Sequence, residues 1–199
     1  MLVIITEGKD EVFIKKYLEN QGYTMGVHFA TNSIGGWTKL ELSKSIIEKH
    51  IDEGHTVVLV FDADTVEKKG GFIKRSEELN YILKKLNFQI NFFLFPNNTN
   101  DGDFESLLES IASSDRKDIF KCFDAYEACV KSLNKPSLNF ITPIRKSRIY
   151  AYMETFPEID KLKSKELKAG SNFFDNKSYW DLNSKALEPL NNFLTQYLQ

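Results

Sequence analysis

The sequence predicts an α/β fold: a mainly parallel, Rossmann-like sheet flanked by helices, followed by a mostly helical C-terminal extension. Three observations carry this. Short apolar, β-branched runs alternate with segments of helical length and periodicity. The run Val57-Val58-Leu59-Val60-Phe61 is continuous rather than alternating, as expected for a central strand covered on both faces. Several runs end directly in polar, acidic stretches, the usual place for ligand contacts in an open parallel sheet.

Taken in order, Leu2 to Thr6 reads as a buried strand closed by Glu7-Gly8, and Asp10 to Asn20 as a helix. Val27 to Thr31 reads as a second strand. A loop through Gly35-Gly36 then leads to a helix from Trp37 to Glu53, with Ile46, Ile47 and His50-Ile51 on its apolar side and Gly54 as C-cap. Thr56 to Phe61 is the central strand, followed by Asp62-Ala63-Asp64 and a Lys/Gly loop. A helix from about Lys74 to Leu86 and a strand from Gln89 to Phe95, stopped by Pro96, come next. A helix from about Phe104, another over Asp115 to Lys135, a loop and helix over Pro143 to Glu154, a charged stretch from Pro157 to Ser171 and an amphipathic helix over Ser184 to Leu198 complete the chain. We expect residues 1–110 to form the α/β core and residues 111–199 an extension packed on it within one structural domain.

Composition sets bounds. In 199 residues, 42% are hydrophobic and 27% charged, which is ordinary for a globular protein. Two cysteines exclude a disulfide scaffold and a four-thiolate zinc site. Cys122 and Cys129 share a helix face and read as buried structural thiols. Apolar runs fall far short of the roughly 18 residues a membrane span needs. No basic leader precedes Leu2, so a cytoplasmic location without membrane association is expected. His28, His50 and His55 show no metal-type spacing and read as structural, and Trp180 reads as packing for the extension.

The net charge is -2, so any nucleic-acid binding must come from a local patch. Such a patch is available. Residues 131–170 hold nine basic residues, among them Arg145, Lys146 and Arg148, against four acidic ones. Lys161, Lys163, Lys165 and Lys168 read equally well as a solvated helix face.

The carboxylates are the informative residues. Glu7 follows the first strand and Asp62 and Asp64 the central one, so both clusters are expected at the carboxyl edge of the sheet. In an extended segment Asp62 and Asp64 project to the same side and can share a cation. Glu7 and Glu11 share a side if Glu7 opens the helix. Glu105, after the strand ending at Phe95, is a third contributor, and Asp103 a plausible N-cap. Such oxygen donors suit Mg²⁺, or Mn²⁺, and phosphoryl or phosphodiester chemistry. The bland alternative is that acids at strand ends are solvated or cap helices, Asp10 among them.

Glu7-Gly8-Lys9-Asp10 after a strand, with Val57 to Asp64, resembles a Toprim domain, the catalytic module shared by topoisomerases, bacterial primases and several nucleases. The resemblance implies that Glu7 is a general acid or base and that Asp62 and Asp64 hold Mg²⁺. Gly35-Gly36-Trp37-Thr38-Lys39-Leu40, Gly102 to Leu108 and Tyr179-Trp180-Asp181-Leu182 resemble a family of small standalone Toprim-related proteins over nearly the whole chain. The sequence is also similar to the Toprim part of overcoming-lysogenisation-defect nucleases, which implies metal roles for Glu11 and Glu105 and a catalytic lysine at Lys146. The chain has no Gly-x-x-x-x-Gly-Lys-Ser/Thr of its own, so an ATPase would be a partner protein. The expected function is Mg²⁺-dependent cleavage of phosphodiesters in DNA or RNA. The alternative is a non-catalytic, metal-dependent nucleotide or nucleic-acid binding module serving a partner.

Overall fold

The computed structural model describes residues 1–133, 140–141, 146–157 and 173–198. Arg145, Lys135, Lys161, Lys163, Lys165 and Lys168 lie outside the described residues, so the expected basic patch is represented here by Lys131, Lys146 and Arg148. Four strands, β1 (Leu2–Thr6), β2 (Phe29–Ser33), β3 (Thr56–Asp62) and β4 (Asn91–Phe95), form an all-parallel sheet in the order β2-β1-β3-β4. Among the described residues the helices are α1 (Asp10–Asn20), α2 (Lys44–Asp52), α3 (Phe72–Leu86), α4 (Phe104–Ile111), α5 (Asp118–Ser132), α6 (Lys146–Met153) and α7 (Glu188–Thr195). The expected α/β class with a helical C-terminal part is the observed one. No described helix is long and apolar enough to cross a membrane.

β1 and β3 are buried on both faces, which is why their sequences do not alternate. Side chains two apart nevertheless separate into two cores. Leu2, Ile4, Val58, Val60, Phe93 and Phe95 face α1, α4 and the C-terminal part. Val3, Ile5, Leu59, Phe61 and Leu94 face α2 and α3. The first core continues without a break into Ile149, Tyr152, Trp180 and Leu190, so residues before and after 110 share it. Trp180 is fully buried there, in the packing role its sequence context implies.

Several local expectations are corrected. The stretch from Trp37 to Glu53 is a 3₁₀ turn over Trp37–Lys39 followed by α2, and only Ile47 of α2 is buried; Ile46 and Ile51 are exposed. β2 begins two residues later than expected. Cys122 and Cys129 are exposed. Phe120 and Phe123 form the buried face of α5 and turn both thiols to solvent.

The strand order positions the site. From β1 the chain steps outward to β2, then returns to the other side of β1 for β3 and continues to β4. The connections therefore leave β1 and β3 in opposite directions, which opens a crevice at their carboxyl ends. Glu7 and Asp62 stand at those two ends.

Candidate active site

The strand register brings Glu7 and Asp62 together. Thr6 pairs with Val60, so Glu7 emerges level with the last turn of β3, and Glu7 Oε1 accepts the backbone N–H of Asp62 at 3.3 Å. Asp10, in the first turn of α1, accepts the N–H groups of Gly8 at 2.6 Å and Glu7 at 3.3 Å through its carboxylate. It thereby fixes the turn that carries Glu7 rather than capping the helix as expected, since Lys9 is the N-cap of α1. On the other side, Asp103 and Ser106 form a capping box that starts α4, and the next N–H, that of Phe104, donates to Asp62 Oδ1 at 2.8 Å. Glu105 is carried on the same first turn.

Glu7, Asp10, Asp62, Phe104 and Glu105 line one cavity of about 320 Å³. Glu7, Asp10, Asp62 and Glu105 form its acidic floor, with Gly8 and Gly35 beside them. Lys146, from the start of α6, closes it with an ion pair to Glu105 at 3.1 Å. Val12, Leu108, Ile149, Met153 and Phe174 make the opposite wall apolar. Lys9 donates to the Tyr150 hydroxyl at 3.1 Å at the rim. Neither Lys9 nor Tyr150 stood out in the sequence, because the contact joins residues 141 positions apart.

The electrostatics are those of a crowded, dry acid cluster. Burial pushes the Glu7 carboxyl up to about 7, with Asp10 and Asp64 adding to the rise against the Asp62 N–H. Burial likewise raises Asp10 to about 6. Asp62 is pushed well above the carboxylate range, first by burial and then by Glu7 and Glu105. Desolvation pulls the Lys146 ammonium down, but Glu105 and Asp62 outweigh it and leave it raised. Glu105 Oε2 is buried without a hydrogen-bond partner. Acidic groups that repel one another, with a buried oxygen of Glu105 left without a donor, are the arrangement a hard divalent cation relieves.

Two expected members are elsewhere. Asp62 and Asp64 do not project to the same side, because the extended backbone ends at Asp62 and Asp64 has φ of 61°. Its carboxylate pairs instead with Arg75 at 2.9 Å and faces Lys68 at 3.9 Å, and it does not line the cavity. Arg75 is itself buried, bonded to Glu78 at 2.7 Å and stacked 4.0 Å over the Trp37 ring. Gly70 lies so close above Asp64 that a Cβ there would meet Asp64 Cβ at 2.4 Å. Glu11 is also outside the cavity. The helix begins at Asp10, so Glu7 is not one turn before Glu11 on the same face, and Glu11 accepts from Thr31 on β2 at 2.9 Å.

The family model described as "Protein of unknown function (DUF3226)" matches residues 2–199. The chain belongs to that family. No curated protein and no solved structure matches it.

Proposed function

We propose that the protein is a Mg²⁺- or Mn²⁺-dependent phosphodiesterase of Toprim type acting on nucleic acid. The observation that carries this reading is the convergence of Glu7, Asp62 and Glu105 in one cavity at the β1/β3 crevice, with Lys146 facing them. The donor set fits the metal: Asp62 uses one oxygen on a backbone N–H and keeps the other, and Glu105 keeps a buried, unpartnered oxygen, while Glu7 beside them also keeps one oxygen free. A bound divalent cation would polarise the phosphate and acidify a water ligand.

The chain's own groups supply the rest. Glu7, with its carboxyl near 7, exchanges a proton at neutral pH through the oxygen not held by Asp62, taking one from the attacking water or giving one to the departing sugar oxygen. Asp62 and Glu105 anchor the cation. Lys146 neutralises charge that develops on the phosphate as the P–O bond to the leaving oxygen breaks. Asp64 acts at one remove: it ties the Lys68 turn and the start of α3, through Arg75, to the end of β3.

The test is incubation of the protein with single- and double-stranded DNA and RNA oligonucleotides in Mg²⁺ or Mn²⁺. Cleavage that falls at least about 100-fold in Asp62→Asn and in Glu7→Gln is the expected result. Cleavage unaffected by both substitutions overturns the reading. The apolar wall favours a second reading, metal-dependent binding of a nucleotide or nucleic acid without cleavage, in the service of a partner such as an ATPase. Calorimetric binding in Mg²⁺ with no turnover of any oligonucleotide would select it.

A further inference from the structure

We propose that His50, Glu53 and His55 form a second metal site, for one Zn²⁺-class ion, at the opposite edge of the sheet from the carboxylate cavity. Nitrogen and oxygen atoms from these three side chains lie within 4.8 Å of one another. His50 Nδ1 and His55 Nε2 stand 3.6 and 3.7 Å from the same atom, Glu53 Oε2. Metal–ligand bonds of about 2.0–2.1 Å in a tetrahedron place ligand atoms roughly 3.3 Å apart, so small side-chain movements close the triad around an ion.

The backbone makes this arrangement. α2 ends with Glu53 as C-cap, and Gly54, at φ 77°, turns the chain in the left-handed region. The Gly54 N–H then donates to Ile51 C=O at 2.9 Å and the His55 N–H to His50 C=O at 3.0 Å. That pair of bonds is a Schellman turn, which sets the residue two past the cap against the residue three before it. Those positions commonly hold an apolar contact. Here they hold two imidazoles, with their ring centroids 6.1 Å apart, and the cap residue supplies a carboxylate between them.

The independent sign of a missing ligand is His50 Nδ1. It is buried and has no hydrogen-bond partner, and at 3.6 Å the Glu53 oxygen is too far to serve as one. A cation at that point satisfies it and also sits at the negative end of the α2 dipole. Two imidazoles and one carboxylate select Zn²⁺, Co²⁺ or Ni²⁺ over Mg²⁺. Three protein ligands leave one position for water or for a donor from another molecule. The other Glu53 oxygen faces Lys49 at 3.9 Å, which holds the carboxylate in its orientation. His55 immediately precedes β3, so an ion here clips the end of α2 to the start of the central strand, roughly 23 Å of strand away from Asp62.

Co²⁺ titration of the full-length chain tests the site, in an Asp62→Asn background so that the cavity carboxylates do not compete. We expect one equivalent to produce the intense visible bands of four-coordinate Co²⁺, displaced by Zn²⁺ and not by Mg²⁺. We expect His50→Ala, His55→Ala and Glu53→Gln each to weaken binding by at least about 10-fold, while His28→Ala, outside the triad, leaves it unchanged. Zn²⁺ should raise the melting temperature of the parent and not of the His50→Ala/His55→Ala variant. Unchanged Co²⁺ spectra in that double variant, with helical circular dichroism retained, overturn the site, as does a parent protein that binds no Co²⁺ or Zn²⁺ at micromolar concentration. Oligonucleotide cleavage by the otherwise native chain does not enter either outcome, so this site and the carboxylate cavity stand or fall separately.

Discussion

Two acidic regions adjoin at the end of β3, and they are built on opposite electrostatic plans. Around Asp64, three carboxylates have cations: Arg75 serves Asp64 and Glu78, and Lys68 serves Asp103 at 2.9 Å. Two residues earlier, Asp62 shares its surroundings with Glu7, Asp10 and Glu105, and the cation lining the cavity beside them, Lys146, pairs with Glu105. Compensated carboxylates hold a loop in place. Uncompensated, desolvated ones cost folding energy that a proton or a bound cation recovers, which is what makes them candidates for a site.

Removing the cation from the compensated region should have the largest effect on stability. Arg75→Met removes the buried guanidinium that Asp64 and Glu78 share and that stacks on Trp37, and we expect a loss of about 3 kcal/mol in denaturant unfolding, with or without divalent cation. A smaller loss, about 2 kcal/mol, is expected for Gly70→Ala, because the new Cβ collides with Asp64 Cβ and, at 2.7 Å, with the Ala63 carbonyl. Either variant melting like the parent would break the contrast.

The uncompensated region should respond to pH with the opposite sign from ordinary salt-bridged acids. Glu7 and Asp10 have folded-state values of about 7 and about 6, raised from 4.5 and 3.8. The folded protein therefore retains protons that the unfolded chain releases. This contribution to stability is fully present below about pH 4 and is lost as pH rises through 6 to 7. Metal-free protein should thus gain on the order of 2 kcal/mol from this cluster between pH 8 and pH 5. Glu7→Gln should flatten the profile, read as the difference in melting temperature between variant and parent across that range. An unchanged pH profile in Glu7→Gln would place the protonation elsewhere.

The smallest expected effect separates two glutamates that the sequence treats alike. Glu11→Gln, hydrogen-bonded to Thr31 outside the cavity, should change Mn²⁺ affinity less than about 2-fold, whereas Glu105→Gln should weaken it about 10-fold. Equal effects would mean that the cavity is not the binding site.

Much of this architecture is legible in the residues. A strand such as Val57 to Phe61, apolar on both faces, announces a central parallel position. The rule that ligands gather at carboxyl ends then brings Glu7 and Asp62 together across 55 residues. What the sequence hides is set by contacts distant along the chain or by single backbone angles. The position of Asp64 depends on a left-handed residue and on Gly70 pressing against it, so counting along an extended strand misplaces it. Glu11 depends on where α1 begins. His50 and His55 look unrelated by spacing because a Schellman turn, not a helical repeat, brings them together. Lys146 reaches Glu105 only because α6 folds back over α4, a contact that periodicity does not reveal.

The most direct test of the central claim is calorimetric titration of Mn²⁺ into metal-free protein at pH 7, for the parent and for Asp62→Asn. The parent should bind with release of protons from the Glu7–Asp62 cluster, and Asp62→Asn should lose both the binding and the proton release. Mn²⁺ binding of equal affinity in the two proteins, with no proton release in either, would contradict the account.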